Sequence, residues 1–208
     1  MTMPMIKDWK TFRDMALELA KKGFIPVYGD FCVELEEVVT ECIFLAQKQG
    51  MKSVTLLINS NGGQNDCFTA IRAAMLQSGI EFTGFVMARA RSNGFRVLQV
   101  CKIRKALSNS ELMFHWGQYR LENNELSAIM EGHDWVLEHV RSGRLTMIQE
   151  VSDRTGVSVD DLRQYALFER NFSAEEALKV KFVDEVVKDP PIPTQQLDEQ
   201  LDQKESEK

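Results

Sequence analysis

Between Ser53 and Asn59 the chain runs through Val54, Thr55, Leu56, Leu57 and Ile58 with almost no polar side chain to turn toward water. A strand of that composition suits a place covered on both faces, as in a parallel-type sheet lying between helices. The flanking segments fit this environment. Phe24 to Tyr28 reads as a strand ended by Gly29-Asp30, and Val33 to Gln49 as a helix with Val38, Val39, Cys42, Ile43, Leu45 and Ala46 on its apolar face. Asp66 to Ser78 reads as a helix burying Phe68, Ile71, Ala74, Met75 and Leu76; Glu81 to Met87 as a strand; Asn93 to Val100 as a helix. Strand and helix in alternation predict an α/β sheet joined by crossovers.

The second half continues with a strand at Ile103 to Leu107, a polar turn at Ser108-Asn109-Ser110, and a strand at Leu112 to His115. Leu126, Ile129, Met130, Val136, Leu137, Val140, Leu145 and Ile148 recur at spacings of three and four, which predicts one long helix over 124–155 unless Gly132 or Gly143 interrupts it. Unbroken, it exceeds what one small domain can cover. Thr155-Gly156 ends it, Ser158 opens a short helix, and Ser173 with Glu176 has capping-box spacing. Phe182 to Val187 is the last expected strand.

At the other end, Asp8 to Lys22 reads as an amphipathic helix stopped by Gly23, with Trp9, Phe12, Met15, Leu17 and Leu19 apolar. The organisation is therefore an N-terminal helix within 1–23, one domain over 24–188, and a tail over 189–208. That tail opens with Asp189-Pro190-Pro191-Ile192-Pro193 and is then too acidic and too poor in apolar residues to fold.

A chain of 208 residues, 44% hydrophobic, suits one medium domain. A net charge of −6 argues against a nucleic-acid surface, and Arg89, Arg91 and Arg96 make only a small basic patch. The four cysteines, Cys32, Cys42, Cys67 and Cys101, match neither a zinc spacing nor a compact disulfide framework, and read as free, largely buried thiols in a reducing cytosol. His133 and His139, both within the expected long helix, lack the four-residue spacing of a metal pair and are assigned to a solvated or interface face. No apolar run suits a signal peptide or a membrane span, so a cytoplasmic protein is expected.

Three junctions carry the chemistry: Ile58-Asn59-Ser60-Asn61-Gly62-Gly63, Met87-Ala88-Arg89-Ala90-Arg91-Ser92-Asn93-Gly94, and Leu112-Met113-Phe114-His115. Each lies where an apolar strand gives way to a turn or helix. A glycine pair there leaves backbone N–H groups free to hold an oxyanion. A serine before the next helix can act as a nucleophile, and a histidine ending a later strand as its base. Each also has a plainer reading: a turn glycine pair, a helix N-cap, and a strand-end histidine bonded to backbone or water.

In their order and spacing, Asn59-Ser60-Asn61-Gly62-Gly63, Ser92-Asn93-Gly94 and Met113-Phe114-His115 resemble the proteolytic subunit of the Clp protease, a serine peptidase of the wider crotonase-like superfamily. The resemblance spans about residues 24 to 187. It implies a fold of repeated strand-helix units from which the long helix protrudes as a handle between two rings. It implies Ser92 as nucleophile, His115 as base, and Gly63 with Asn93 as oxyanion hole. The run Glu169-Arg170-Asn171-Phe172-Ser173-Ala174-Glu175-Glu176-Ala177, closing on Phe182-Val183-Asp184, looks like the segment supplying the third triad member, which makes Glu169 the orienting acid where the family has aspartate. The resemblance further implies cleavage of peptide or unfolded protein through an acyl-enzyme, with no metal or organic cofactor, by a homo-oligomer (a heptameric ring or a pair of them) that works with an ATP-dependent AAA+ unfoldase.

The chain departs from the family at its N-terminal helix, which replaces an axial-loop segment, at Asn61, where the family has proline, and at Arg89, Arg91 and Phe95-Arg96 around Ser92. Arg89 and Arg91 are read either as binders of a carboxylate or phosphate or as outward partners in subunit salt bridges. Glu169 has the plainer reading of a surface glutamate paired with Arg170 or another base. Two other functional readings stay open: a catalytically degenerate Clp-like subunit or interaction protein, and a crotonase-type CoA-ester enzyme using Gly63 to polarise a thioester.

Overall fold

The computed structural model describes residues 8–117 and 119–191. The elements run α1 (Trp9–Ala20), β1 (Phe24–Phe31), α2 (Val33–Lys48), β2 (Ser53–Gly63), α3 (Asn65–Gln77), β3 (Glu81–Arg91), α4 (Asn93–Val100), β4 (Ile103–Leu107), β5 (Glu111–Met113), α5 (Asn123–Met130), α6 (Trp135–Thr155), α7 (Val159–Leu167), β6 (Asn171–Ser173), α8 (Ala174–Lys179) and β7 (Glu185–Val187). Residues 1–7 of the expected N-terminal segment and 192–208 of the expected tail lie outside the described residues.

The sheet order is β1-β2-β3-β4-β7, parallel throughout. Leu56, Leu57 and Ile58 of β2 point alternately to opposite faces yet all are buried, so both faces of the sheet are covered. The strand β3 is long enough to serve two neighbours. Its Thr83–Val86 stretch pairs with β4, and its Arg89–Arg91 stretch pairs with β5, which pairs antiparallel with β6. This fork creates the pocket in which the sequence motifs meet.

Several predicted boundaries move. β1 continues past Gly29 through a bulge between Tyr28 and Asp30, and β2 and β3 run on to Gly63 and Arg91, because pairing continues beyond the apolar runs that mark them in sequence. β5 ends at Met113 and leaves His115 past the strand. β7 starts only at Glu185, since the Phe182 N–H closes the end of α8 by donating to the Ala177 carbonyl and Phe182 is buried there.

The expected long helix is two helices. Gly132 takes a left-handed φ of 83°, its N–H donates to Ile129 O, and the His133 N–H donates to Ala128 O. Those two bonds form a Schellman stop, which glycine makes sterically cheap. His133 therefore sits in the turn between α5 and α6 instead of on a helix. Gly143 interrupts nothing. α5 buries none of its residues, and α6 buries only Val136, Ile148, Val151 and Thr155.

α1 starts at an Asp8 N-cap, whose carboxylate accepts from the Lys10 and Thr11 N–H groups, and it buries Phe12, Ala16 and Ala20 while turning Met15 outward. The four cysteines are free thiols. Burial pushes Cys42 and Cys101 up to about 12 and Cys67 up to about 11. Among the described residues no helix is long and apolar enough to cross a membrane.

Candidate active site

Ser92 stands between the end of β3 and the start of α4 with φ 50° and ψ −118°, a conformation rare for a residue with a side chain. Its N–H donates to Met113 O at 3.0 Å, which fixes the turn, but its side chain makes no capping bond to α4. The helix-cap reading of this serine is thus not the one adopted. Gly62 gives it room: a Cβ there would lie 2.5 Å from Ser92 Cβ and 2.9 Å from Ser92 Oγ. Gly63 is equally committed, since its Cβ would lie 2.5 Å from Phe31 O. The pair closes β2 and does not itself open α3, which begins at Asn65.

Strand register gathers the remaining groups. Arg91 pairs with Met113, and Met113 with Asn171, across β3, β5 and β6. Ser92 follows the first, His115 lies two residues beyond the second, and Glu169 two residues before the third. An aromatic cluster supports all three segments: Phe95 against Phe114 at 5.4 Å, Phe95 against Phe182 at 4.8 Å, and Phe172 against Phe182 at 5.0 Å. Such ring contacts hold backbone positions through large buried areas in edge-on and tilted geometries.

His115 Nδ1 lies 3.1 Å from Glu169 Oε1. A carboxylate at Nδ1 keeps the proton on that nitrogen and leaves Nε2 as the acceptor. Nε2 is buried and has no hydrogen-bond partner among the described residues. Glu169 takes a left-handed φ of 47° and is 67% exposed along its side chain, while the His115 side chain is 15% exposed. Arg170 does not pair with Glu169; it reaches Glu176 at 3.5 Å and stacks on Tyr165 and Phe172. No hydrogen bond joins Ser92 Oγ to His115 Nε2 among the described residues.

Gly63, Ser92, Asn93 and His115 line one cavity of about 560 Å³ together with Trp116, Tyr119 and residues of α6. Asn93, 1% exposed, donates from Nδ2 to Gly63 O at 2.8 Å and to Asn65 Oδ1 at 3.1 Å. Arg96 donates to Asn93 Oδ1 at 3.0 Å and to Asn65 Oδ1 at 3.3 Å, and its guanidinium lies 4.0 Å from the centre of the Phe68 ring. Burial pulls the Arg96 guanidinium below its ordinary value, and these contacts offset the cost of burying it. Asn93 begins α4, so its own N–H has no acceptor within the helix.

The arginines before Ser92 and the helical histidine take different places. Arg89 and Arg91 do not line the cavity; Arg91 pairs with the Glu111 carboxylate across β3 and β5. His139 is exposed, in keeping with the solvated or interface face expected of it, and it also lines the cavity with Val140, Gly143, Arg144 and Met147. Those five positions fall on one face of α6, a spacing legible in the sequence once the helix start is known. Asn65, Trp116, Tyr119 and Arg144 were not anticipated. Among the described residues no three His, Cys, Asp or Glu side chains gather in a way that could hold a metal ion.

The arrangement sets a free hydroxyl, a histidine oriented by a carboxylate, and unpaired N–H groups at a helix start around one water-accessible space. Those are the parts of acyl transfer. The family model for Clp protease matches residues 9–190. A curated relative, the ATP-dependent Clp protease proteolytic subunit 2 of Frankia casuarinae, is 26% identical over 163 residues, covering 75% of this chain and 70% of its own length.

Proposed function

Since this chain belongs to the Clp protease family, we propose that it is a serine endopeptidase acting through Ser92, His115 and Glu169. The observation that carries the reading is the 3.1 Å contact of Glu169 with His115 Nδ1, which leaves Nε2 unpartnered beside the cavity that Ser92 lines. Ser92 Oγ attacks the scissile carbonyl carbon while His115 Nε2 takes its proton. The Gly63 and Asn93 N–H groups hold the oxyanion. Collapse of the tetrahedral intermediate returns the proton to the leaving amine and leaves an acyl-enzyme, which water hydrolyses by the same proton path. The substrate is a peptide or unfolded protein bound extended along a strand edge.

The reading includes assembly. Met130 is 80% exposed and Trp135 54%, so the α5–α6 arm carries apolar surface that suits burial against other copies in a ring or a pair of rings. The Frankia relative is named a proteolytic subunit of an ATP-dependent protease, which supports an ATP-dependent unfoldase as the proposed partner of such an assembly. Closure of Ser92 onto His115 is assigned to that assembled state.

A degenerate subunit is the second reading, favoured by the missing Ser92–His115 bond and by the exposure of Glu169. The crotonase-type alternative predicts acidic catalytic residues, and among the described residues the cavity wall carries none. Intact mass after fluorophosphonate treatment of wild type, Ser92→Ala and His115→Ala separates the first two. One adduct on wild type alone supports the peptidase. No adduct on folded, assembled wild type overturns it in favour of the degenerate subunit.

A further inference from the structure

Two guanidiniums, those of Arg96 and Arg144, line the cavity of Ser92. The side chains lining the cavity include Arg96, Arg144, His115 and His139, and among the described residues no aspartate or glutamate. In a chain with a net charge of −6 this local excess is not a reflection of composition. Of the nearby acids, Glu169 contacts His115, Glu111 pairs with Arg91 and Glu150 with Arg72, while Glu125 accepts from the Tyr119 hydroxyl at 2.6 Å and lies within electrostatic reach of His139.

The two guanidiniums differ in their freedom. Arg96 is held by Asn65, Asn93 and the Phe68 ring. Arg144 is half-buried, and its one contact among the described residues is the face of Trp116, 5.2 Å from the ring centre. Its neighbours one turn away on α6, Val140, Arg141, Met147 and Ile148, offer no acid for a helical ion pair. A guanidinium stacked on an aromatic face is positioned while keeping its forked donors free, the geometry that binds a carboxylate with two hydrogen bonds.

We propose that the α6 wall is a subsite for a carboxylate of the peptide substrate, with Arg144 as its ligand and His139 as a second donor on the same face. That the ligand is a peptide rests on the peptidase reading above. The carboxylate comes from an acidic side chain or from a free C-terminus. The subsite therefore makes this enzyme selective for acidic or carboxyl-terminal segments.

Fluorescein-labelled hexapeptides binding to the assembled Ser92→Ala protein, followed by anisotropy, provide the test. One peptide carries a central Glu and an amidated C-terminus, a second has Gln in place of Glu, and a third is the Gln peptide with a free C-terminal carboxylate. At least one carboxylate peptide is expected to bind about tenfold more tightly than the amidated Gln peptide, in keeping with a charge-assisted pair. Which of the two does so identifies the source. Arg144→Gln is expected to erase that preference without weakening the amidated Gln peptide, and Arg144→Lys to restore part of it. Equal binding of all three peptides, no binding of any, or a preference that survives Arg144→Gln overturns the proposal. Absence of a fluorophosphonate adduct on wild type, with the carboxylate preference intact, overturns the peptidase reading and leaves the subsite standing.

Discussion

The Asn93 side chain donates from Nδ2 to the carbonyl oxygen of Gly63 at 2.8 Å, bridging the end of β2 and the first residue of α4. The two segments are remote in sequence, and they carry the two N–H groups assigned to the oxyanion. Asn65 and Arg96 complete the tie, so the spacing of those donors depends on a buried polar network rather than on strand pairing alone.

Asn93→Ala removes that tie and keeps the backbone N–H. Misplacing one donor is expected to lower kcat for a peptide substrate by about 10–100-fold with a smaller change in KM. The loss of the buried bonds should also cost about 1–3 kcal/mol of stability. Steady-state kinetics with denaturant unfolding checks both; an unchanged kcat would remove Asn93 from the positioning of the site.

Gly62→Ala and Gly143→Ala should act in opposite directions. At Gly62 the methyl meets Ser92 Cβ at 2.5 Å, and φ is 101°, so a loss of about 2 kcal/mol or more and of fluorophosphonate reactivity is expected. At Gly143, inside α6, a Cβ meets nothing within 4 Å, and alanine should add about 0.5–1 kcal/mol. Thermal unfolding of the two variants beside wild type reads the contrast.

Glu169→Gln keeps the size of the side chain but no longer fixes the His115 tautomer. Fluorophosphonate labelling is expected to slow by about 10–100-fold, less than for a fully buried acid because Glu169 is largely exposed. Labelling at the wild-type rate would return Glu169 to a surface role.

Asp184 is expected to govern acid stability. Burial pushes its carboxyl up, but hydrogen bonds from the Arg104 backbone and guanidinium outweigh this and hold it below its ordinary 3.8. A depressed carboxyl stabilises the fold above its unfolded value and loses that contribution as pH falls through the folded one. Asp184→Asn, which leaves the nearly fully buried Arg104 without its counter-ion, should cost about 1–2 kcal/mol at pH 7, the figure being held low by the partial exposure of Asp184. The difference from wild type should shrink below about pH 4, as followed by urea unfolding across that range.

Much of this was legible in the chain. The run from Val54 to Ile58 suited a strand covered on both faces, and the glycine pair and Ser92 marked strand ends, while His115 fell two residues past the end of its strand. The sequence by itself determined the alternation of strands and helices, since local periodicity and capping residues such as Asp8 and Ser173 act over a few residues. Only the tertiary structure decided the fork of β3 between β4 and β5, the register that sets Arg91, Met113 and Asn171 side by side, and the turn at Gly132. Those depend on contacts between residues far apart in the chain, which no local pattern encodes. For the same reason Glu169 acquired His115 as its partner in place of Arg170, and His139 and Arg144, ordinary surface residues by sequence, came to line the cavity of Ser92.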